Sequence, residues 1–392
     1  MANLDFDNTQ KAFALKNDGQ LNRSYWLFRL MQKPILVNFF SRLTVQALKI
    51  GLPIGPLVKA TIFKQFCAGE TLQESESVVA LLKKVNVGSI LDYSIEGKER
   101  EEDFDNTRDE LLRIVALAKT NRSIPYTCLK LTGIARHDLL VKVNDKKALT
   151  AEEQKELDAL KARYHEICAS CEASDVPIYI DAEDYCLQGA IDSLTEEMMK
   201  KYNTKKAIIQ TTAQLYRWDR LDYIKQLIIW ARKEHIFIGL KLVRGAYWEK
   251  ENERAHQMGY KSPVHSLKAD TDRDYDKALD LCLENIDIVS ICAGTHNEAS
   301  TLHLVAKMKE LGIPNTDKRI CCSQLFGMSD HITYNLAESG YNVTKYLPYG
   351  PVKSVLPYLV RRAQENTSIA GQMSRELRLI SEEKKRRHAP QS

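Results

Sequence analysis

Apolar residues recur at three- and four-residue intervals from about residue 8 to residue 87: Leu21, Trp26, Leu27 and Leu30, then Val37, Phe40, Leu43 and Leu48, then Val78, Leu81 and Leu82. That spacing lines up one face of a helix, so it predicts a helical arm. Pro34, Pro53 and Pro56 punctuate the arm, and the Gly69-Glu70-Thr71 step is a cap for its last helix. Beyond 87 the pattern changes to short β-branched runs at 89–93, 126–131, 178–181, 207–210, 236–243, 288–291, 319–322 and 343–346. A longer amphipathic stretch follows each one, near 105–121, 151–173, 188–203, 214–234, 270–286, 297–311, 327–339 and 351–372. Strands alternating with helices imply parallel pairing through right-handed crossovers, and eight such units predict an α/β fold, a (β/α)8 barrel. An open doubly wound sheet is the alternative, weakened because no G-x-G-x-x-G follows the first strand. The expected organisation is an arm over 1–87, a barrel over 88–373 and a charged, solvated tail over 374–392 ending in Lys384-Lys385-Arg386-Arg387-His388.

Composition narrows the class. With 392 residues, 44% of them hydrophobic, the chain can build one barrel-sized core and an accessory segment. A net charge of +4 from 56 basic and 52 acidic residues is too even a balance to suggest a nucleic-acid-binding surface by itself. The nine cysteines are scattered over strand and helix patterns, as reduced thiols in a cytoplasm would be. Cys168 and Cys171 form a C-x-x-C on a helix-patterned stretch without a matching second pair, so they are expected to pack rather than to bind metal. In the adjacent Cys321 and Cys322, one side chain is expected to face the barrel and the other to pack outward. No run is long and apolar enough for a transmembrane helix, and the first residues do not read as a leader.

In a barrel of this kind the chemistry sits at the C-terminal ends of the strands. Polar groups fall at those places: Lys130, Asp181, Gln210, Arg244, Thr295-His296-Asn297, Gln324 and Tyr346. One such group would be a solvated rim; seven indicate a ligand pocket. The fifth run leads into Lys241-Leu242-Val243-Arg244-Gly245-Ala246-Tyr247-Trp248. There Gly245 permits close backbone approach, Arg244 offers a fork to an anion, and Tyr247 and Trp248 offer flat faces to a ring system. Arg361, Arg362 and Glu365 share a helical neighbourhood that is either a surface ion-pair cluster or a pair of guanidinium groups able to grip a carboxylate.

Taken in order, these segments resemble the proline dehydrogenase family, and its monofunctional form more than the barrel of the bifunctional bacterial enzymes. The resemblance runs from Phe6-Asp7-Asn8-Thr9-Gln10-Lys11-Ala12-Phe13 through Leu91 to Gly97, Leu129 to Thr132, Asp181-Ala182-Glu183, and the 241–248 octet. It continues through Thr295-His296-Asn297-Glu298, Gln324 to Met328, and Lys345 to Glu365. It implies FAD as cofactor, L-proline as substrate, and hydride transfer to flavin N5 giving pyrroline-5-carboxylate. It also implies a membrane quinone as electron acceptor and a separate pyrroline-5-carboxylate dehydrogenase for the product. By resemblance, Arg361 and Arg362 bind the substrate carboxylate, Lys130 and Glu365 complete the polar pocket, and Leu325 and Tyr346 pack on the substrate ring. Asp181 and Lys241 are the implied catalytic pair at the flavin. Gln210, Val243, Arg244, Gly245, Ala246, Tyr247, Trp248, Thr295, His296, Asn297, Gln324 and Leu325 are implied to line the cofactor. Lys241 departs from the many bacterial members that carry arginine there: the charge persists and the planar fork is lost. The expected location is cytoplasmic, with peripheral contact at the inner membrane.

Three competing readings remain, one of them a non-enzymatic membrane-surface or interaction scaffold built on Trp26, Phe28 and Leu30 of the arm and on the basic tail. Hydroxyproline oxidation by the same family differs by one ring hydroxyl. A Schiff-base aldolase would use Lys130 or Lys241 as its carbonyl-capturing amine.

Overall fold

The β-branched runs become strands because their side chains pack on both faces of a barrel wall. In the structure, a computed structural model, residues 4–49, 52–93, 99–368 and 370–389 are described. The strands are β1 (Gly88–Tyr93), β2 (Tyr126–Leu129), β3 (Ile178–Ile180), β4 (Ile209–Gln214), β5 (Ile238–Val243), β6 (Val289–Gly294), β7 (Ile320–Leu325) and β8 (Val343–Tyr349). They close into a barrel in chain order, the parallel (β/α)8 architecture expected from the alternation. The open doubly wound sheet is thereby excluded. Between the strands, two helices escape the sequence pattern, His137–Asn144 after β2 and Trp248–Met258 after β5.

The chain folds as two compact units, Gly97–Ser323 and Met1–Glu96 joined with Gln324–Ser392. In the first, the register runs level from strand to strand: Thr212 on β4 pairs with Lys241 on β5, Lys241 with Cys292 on β6, and Cys292 with Cys321 on β7. Helices Glu101–Thr120, Ala151–Ser174, Tyr185–Tyr202, Arg220–Glu234, Lys268–Glu284 and Glu298–Glu310 belong to this unit. Cys168 and Cys171 lie buried on the second of these, as packing residues, and Cys321 and Cys322 are both buried.

In the second unit, β1 pairs with β8, Ile90 opposite Tyr346. The arm helices, among them Asp18–Met31 and Pro34–Lys49, share a core with the chain's last two helices, Val352–Ser368 and Ala370–His388. Leu21, Phe28, Phe66, Val355, Leu359, Leu379 and Ile380 are its centre. Thr71 caps Leu72–Lys83 by accepting the Glu74 N–H, as the sequence suggests. Gly327, at φ +81°, lies so close to Gln65 that a Cβ would stand 2.0 Å from the Gln65 carbonyl oxygen. The expectation of a solvated tail is corrected. Residues 370–388 form a helix with Leu379 and Ile380 buried, and Glu383 is buried while accepting from Arg386 and Arg387.

Candidate active site

β2 ends at Leu129 and β3 at Ile180, so Lys130 and Asp181 are the first residues past their strands, and Lys241 stands fourth in β5. The structure brings all three together. The Lys241 ammonium donates to Asp181 Oδ1, Lys130 Nζ lies 3.8 Å from Asp181 Oδ2, and Lys241 Nζ sits 5.4 Å above the Tyr179 ring. Lys241 and Asp181 are each only 7% exposed. Burial alone would lower the Lys241 pKa, but the Asp181 carboxylate outweighs it and the value is raised. Lys241 is thus an ammonium at neutral pH, the wrong state for a Schiff-base nucleophile, which requires a depressed pKa.

Beside this cluster, Glu183 accepts from the Thr132 N–H (3.0 Å) and from its hydroxyl. Burial pushes its carboxyl up to about 7 against those hydrogen bonds. Nothing in the sequence pattern marks Glu183 as a site residue. The same holds for Gln214, the last residue of β4, whose side-chain amide donates to the Glu183 carbonyl at 2.9 Å.

Gln210 requires a correction. β4 begins at Ile209, so Gln210 lies at the start of the strand and not at its C-terminal end; its amide donates to the Ala207 carbonyl at 3.1 Å and its stem fills the space over Gly239. Gln214 holds the strand-end position that the sequence assigns to Gln210.

After β5, whose last residue is Val243, the Arg244 guanidinium donates to Asp272 (2.6 Å), the Thr295 hydroxyl (2.7 Å) and the Ser300 hydroxyl (2.9 Å), and lies 4.4 Å over the Tyr275 ring. Thr295 also accepts the Asn297 N–H, and Asn297 caps the helix Glu298–Glu310. A fixed cation and a helix N-terminus therefore lie side by side, with His296 half-buried between Thr295 and Asn297, an arrangement suited to an anion. Gly245 has φ +120°, and a Cβ there would stand 2.4 Å from the Tyr216 ring. Ala246 and Tyr247 follow half-buried, and Trp248 opens its helix with the indole N–H bonded to the His265 carbonyl.

In the other unit, Gln324 is buried and accepts the Thr333 hydroxyl at 2.9 Å, and Leu325 ends β7 packed on the arm core. Tyr346 is buried in β8, its carbonyl accepting the Phe326 N–H. Arg361 and Arg362 are half-buried on Val352–Ser368, with the Arg362 guanidinium 5.4 Å over the Tyr358 ring. The Glu365 side chain and residues 94–98 lie outside the described residues.

Among the described residues no helix is long and apolar enough to cross a membrane. Residues 76–375 match the family model described as proline dehydrogenase. The proline dehydrogenase 1, mitochondrial, of Dictyostelium discoideum is 32% identical over 98% of this chain and 75% of its own length. The hydroxyproline dehydrogenase of Xenopus laevis is 32% identical over 96% of this chain and 88% of its own. Among solved structures, the proline utilization A protein of Bdellovibrio bacteriovorus inactivated by N-propargylglycine superposes with a TM-score of 0.71 at 20% identity, over 93% of this chain and 39% of that one. A model match across most of the sequence, joined to relatives aligned nearly end to end, places the chain in the proline dehydrogenase family.

Proposed function

We propose that this chain oxidises L-proline to pyrroline-5-carboxylate with FAD as cofactor, passes the electrons to a membrane quinone, and leaves the product to a separate pyrroline-5-carboxylate dehydrogenase. The observation that carries this reading is the Lys130–Asp181–Lys241 cluster, two members just past their strands and the third inside β5, in a proline dehydrogenase barrel.

The residues present fit FAD. Gly245 offers backbone with no room for a Cβ, and Arg244 beside the capped helix N-terminus supplies the positive field a diphosphate needs. Arg244, Gly245, Ala246, Thr295, His296 and Asn297 would hold the phosphates and ribityl chain. Val243, Tyr247, Trp248, Gln324 and Leu325 would pack on the rings, with Gln214 in place of Gln210 at the ring edge. When bound, FAD supplies the acceptor for the two electrons and the hydrogen leaving the proline carbon next to nitrogen. Asp181 holds the Lys241 ammonium in place, and that fixed positive charge would stabilise the negative charge that develops on the cofactor as it is reduced. Arg361 and Arg362 would grip the proline carboxylate, Lys130 and Glu365 would complete the polar contacts, and Leu325 and Tyr346 would shape the space for the ring.

The proposed location is cytoplasmic with peripheral membrane contact, a reading supported by the exposed Ile35, Phe39 and Leu43 on Pro34–Lys49. Anaerobic addition of proline should bleach a flavin absorbance spectrum; a colourless protein, or a spectrum proline leaves unchanged, sinks the proposal. Hydroxyproline oxidation is the second reading, favoured by the Xenopus laevis relative.

A further inference from the structure

Asp184 occupies the N-cap position of the helix Tyr185–Tyr202, yet its side chain makes no capping hydrogen bond. An aspartate there ordinarily accepts the N–H groups of the first turn. Here Glu251, from the helix Trp248–Met258, accepts the Tyr185 N–H at 2.7 Å, which leaves the Asp184 carboxylate to point elsewhere. Its Oδ2 lies 3.6 Å from His137 Nε2 and 2.6 Å from Lys250 Nζ, and its buried Oδ1 has no hydrogen-bond partner among the described residues. Cys186 contributes its thiol to the same place. One ligand atom from each of His137, Asp184 and Cys186 lies within 4.8 Å of the others.

We propose that His137 Nε2, the Asp184 carboxylate and Cys186 Sγ form a binding site for a divalent transition-metal ion of the zinc class, with a fourth position left for water. The donor set is the mixed imidazole, thiolate and carboxylate combination that such ions take. Ligands about 2.0–2.3 Å from a tetrahedral ion stand roughly 3.3–3.8 Å apart, so the His137–Asp184 pair, at 3.6 Å, already has the required separation, and the Cys186 thiol lies within 4.8 Å of both. The histidine ring is also held in place. His137 Nδ1 lies 3.3 Å from Asp138 Oδ1, the carboxylate contact that fixes the ring of a ligating histidine. Access is available on the His137 side, where the side chain is 44% exposed, while Cys186 is buried. Lys250, 62% exposed on its side chain, balances Asp184 in the metal-free chain and can swing into solvent when a dication takes its place. On binding, the metal–sulfur bond forms as the Cys186 thiol releases its proton to solvent, the metal–nitrogen bond forms as the His137 imidazolium beside Asp184 releases the proton on Nε2, and no electron is transferred.

The test titrates the purified, untagged chain with Co(II) and follows the d–d bands of a tetrahedral thiolate complex in the red, with Zn(II) calorimetry alongside. One equivalent of Co(II) should give the bands and Zn(II) should erase them. Cys186→Ala should abolish the bands, Cys171→Ala should keep them, and His137→Ala should weaken binding at least tenfold. Lys250→Met should tighten binding at least threefold, because the competing ammonium is gone. A wild-type chain without a saturable one-to-one band, or a band that survives in Cys186→Ala, overturns the proposal. Should Cys186→Ala fail to fold by circular dichroism, His137→Ala decides at its half-exposed position, and unchanged affinity there overturns the site.

Discussion

Lys241→Met tests whether the buried pair does what its geometry implies. The substitution keeps the length of the side chain and removes the ammonium that donates to Asp181, leaving a carboxylate that is 7% exposed. Breaking a buried pair by deleting one partner costs about 3–5 kcal/mol when the remaining charge is uncompensated. Asp181 keeps a second cation, Lys130 at 3.8 Å, and a pair at that distance is worth about 4 kcal/mol at an effective dielectric of 20, so part of the loss is recovered. The expected cost is therefore about 2–3 kcal/mol in urea unfolding followed by far-ultraviolet circular dichroism. Asp181→Asn should be similarly costly, and the double variant should be less destabilised than the sum by about 2 kcal/mol. In stopped-flow experiments Lys241→Met should bind flavin at unchanged stoichiometry and reduce it more slowly on mixing with proline. Energies that add within about 0.5 kcal/mol, or a wild-type reduction rate, would remove the pair from both stability and mechanism.

Arg361→Ala and Arg362→Ala should each weaken proline binding by about 2 kcal/mol, roughly thirtyfold in KM, since a carboxylate loses a charged partner; an unchanged KM returns them to a structural role. Tyr346→Ser should lower proline efficiency and narrow a preference over 4-hydroxyproline expected to be about tenfold in the wild type, and an unaltered ratio in steady-state kinetics refutes Tyr346 as the specificity residue. Gly245→Ala should cost more than about 2 kcal/mol and lower flavin retention, because it combines a strained φ with a clash at Tyr216; full retention in a gel-filtered sample argues against the loop holding the cofactor. Burial alone would raise the Glu383 carboxyl, but hydrogen bonds from Arg386 and Arg387 hold it at about 2, below the ordinary 4.5. Its stabilisation is full above about pH 4.5 and is lost as pH falls through 2, so Glu383→Gln should cost up to about 3 kcal/mol at pH 7 and less in acid; a deficit that does not shrink with falling pH contradicts the assignment.

The strand count is legible because short β-branched runs set between amphipathic stretches pack well only as buried strands under helices, whereas strand ends are not legible. In β4 the apolar Ala207-Ile208-Ile209 looks like the strand, yet Thr211, Thr212, Ala213 and Gln214 are all buried and continue it. The Thr212 hydroxyl donates to the Ile180 carbonyl and Gln214 to that of Glu183, so polar side chains are satisfied inside the wall where a hydropathy pattern reads loop. The four-residue slip puts Gln210 at the wrong end. The helix Trp248–Met258 escapes the pattern because most of its side chains are polar, and Ala370–His388 because its charges outnumber the stripe at Leu379 and Ile380. Lys130 and Asp181 come together by topology, since residues just past neighbouring strands of a parallel barrel lie side by side, whereas Lys241, inside β5, joins them in the sequence only through the family resemblance. The meeting of His137 with Asp184 and Cys186 depends on a loop helix and has no periodic signature.

The pairing of β1 with β8 sets a schedule for the growing chain. β1 ends at Tyr93 and its partner starts at Val343. At 5–20 residues per second the intervening chain takes roughly 10–50 s to emerge from a ribosome. Throughout that interval Ser89, Ile90 and Leu91, all buried in the finished unit, have a strand edge with no β8 to receive it. The arm core must wait longer, because Leu379 and Ile380 arrive last. Folding of this unit therefore waits on long-range closure, and a nascent chain stalled before residue 343 should be a substrate for chaperones that cover exposed strand edges.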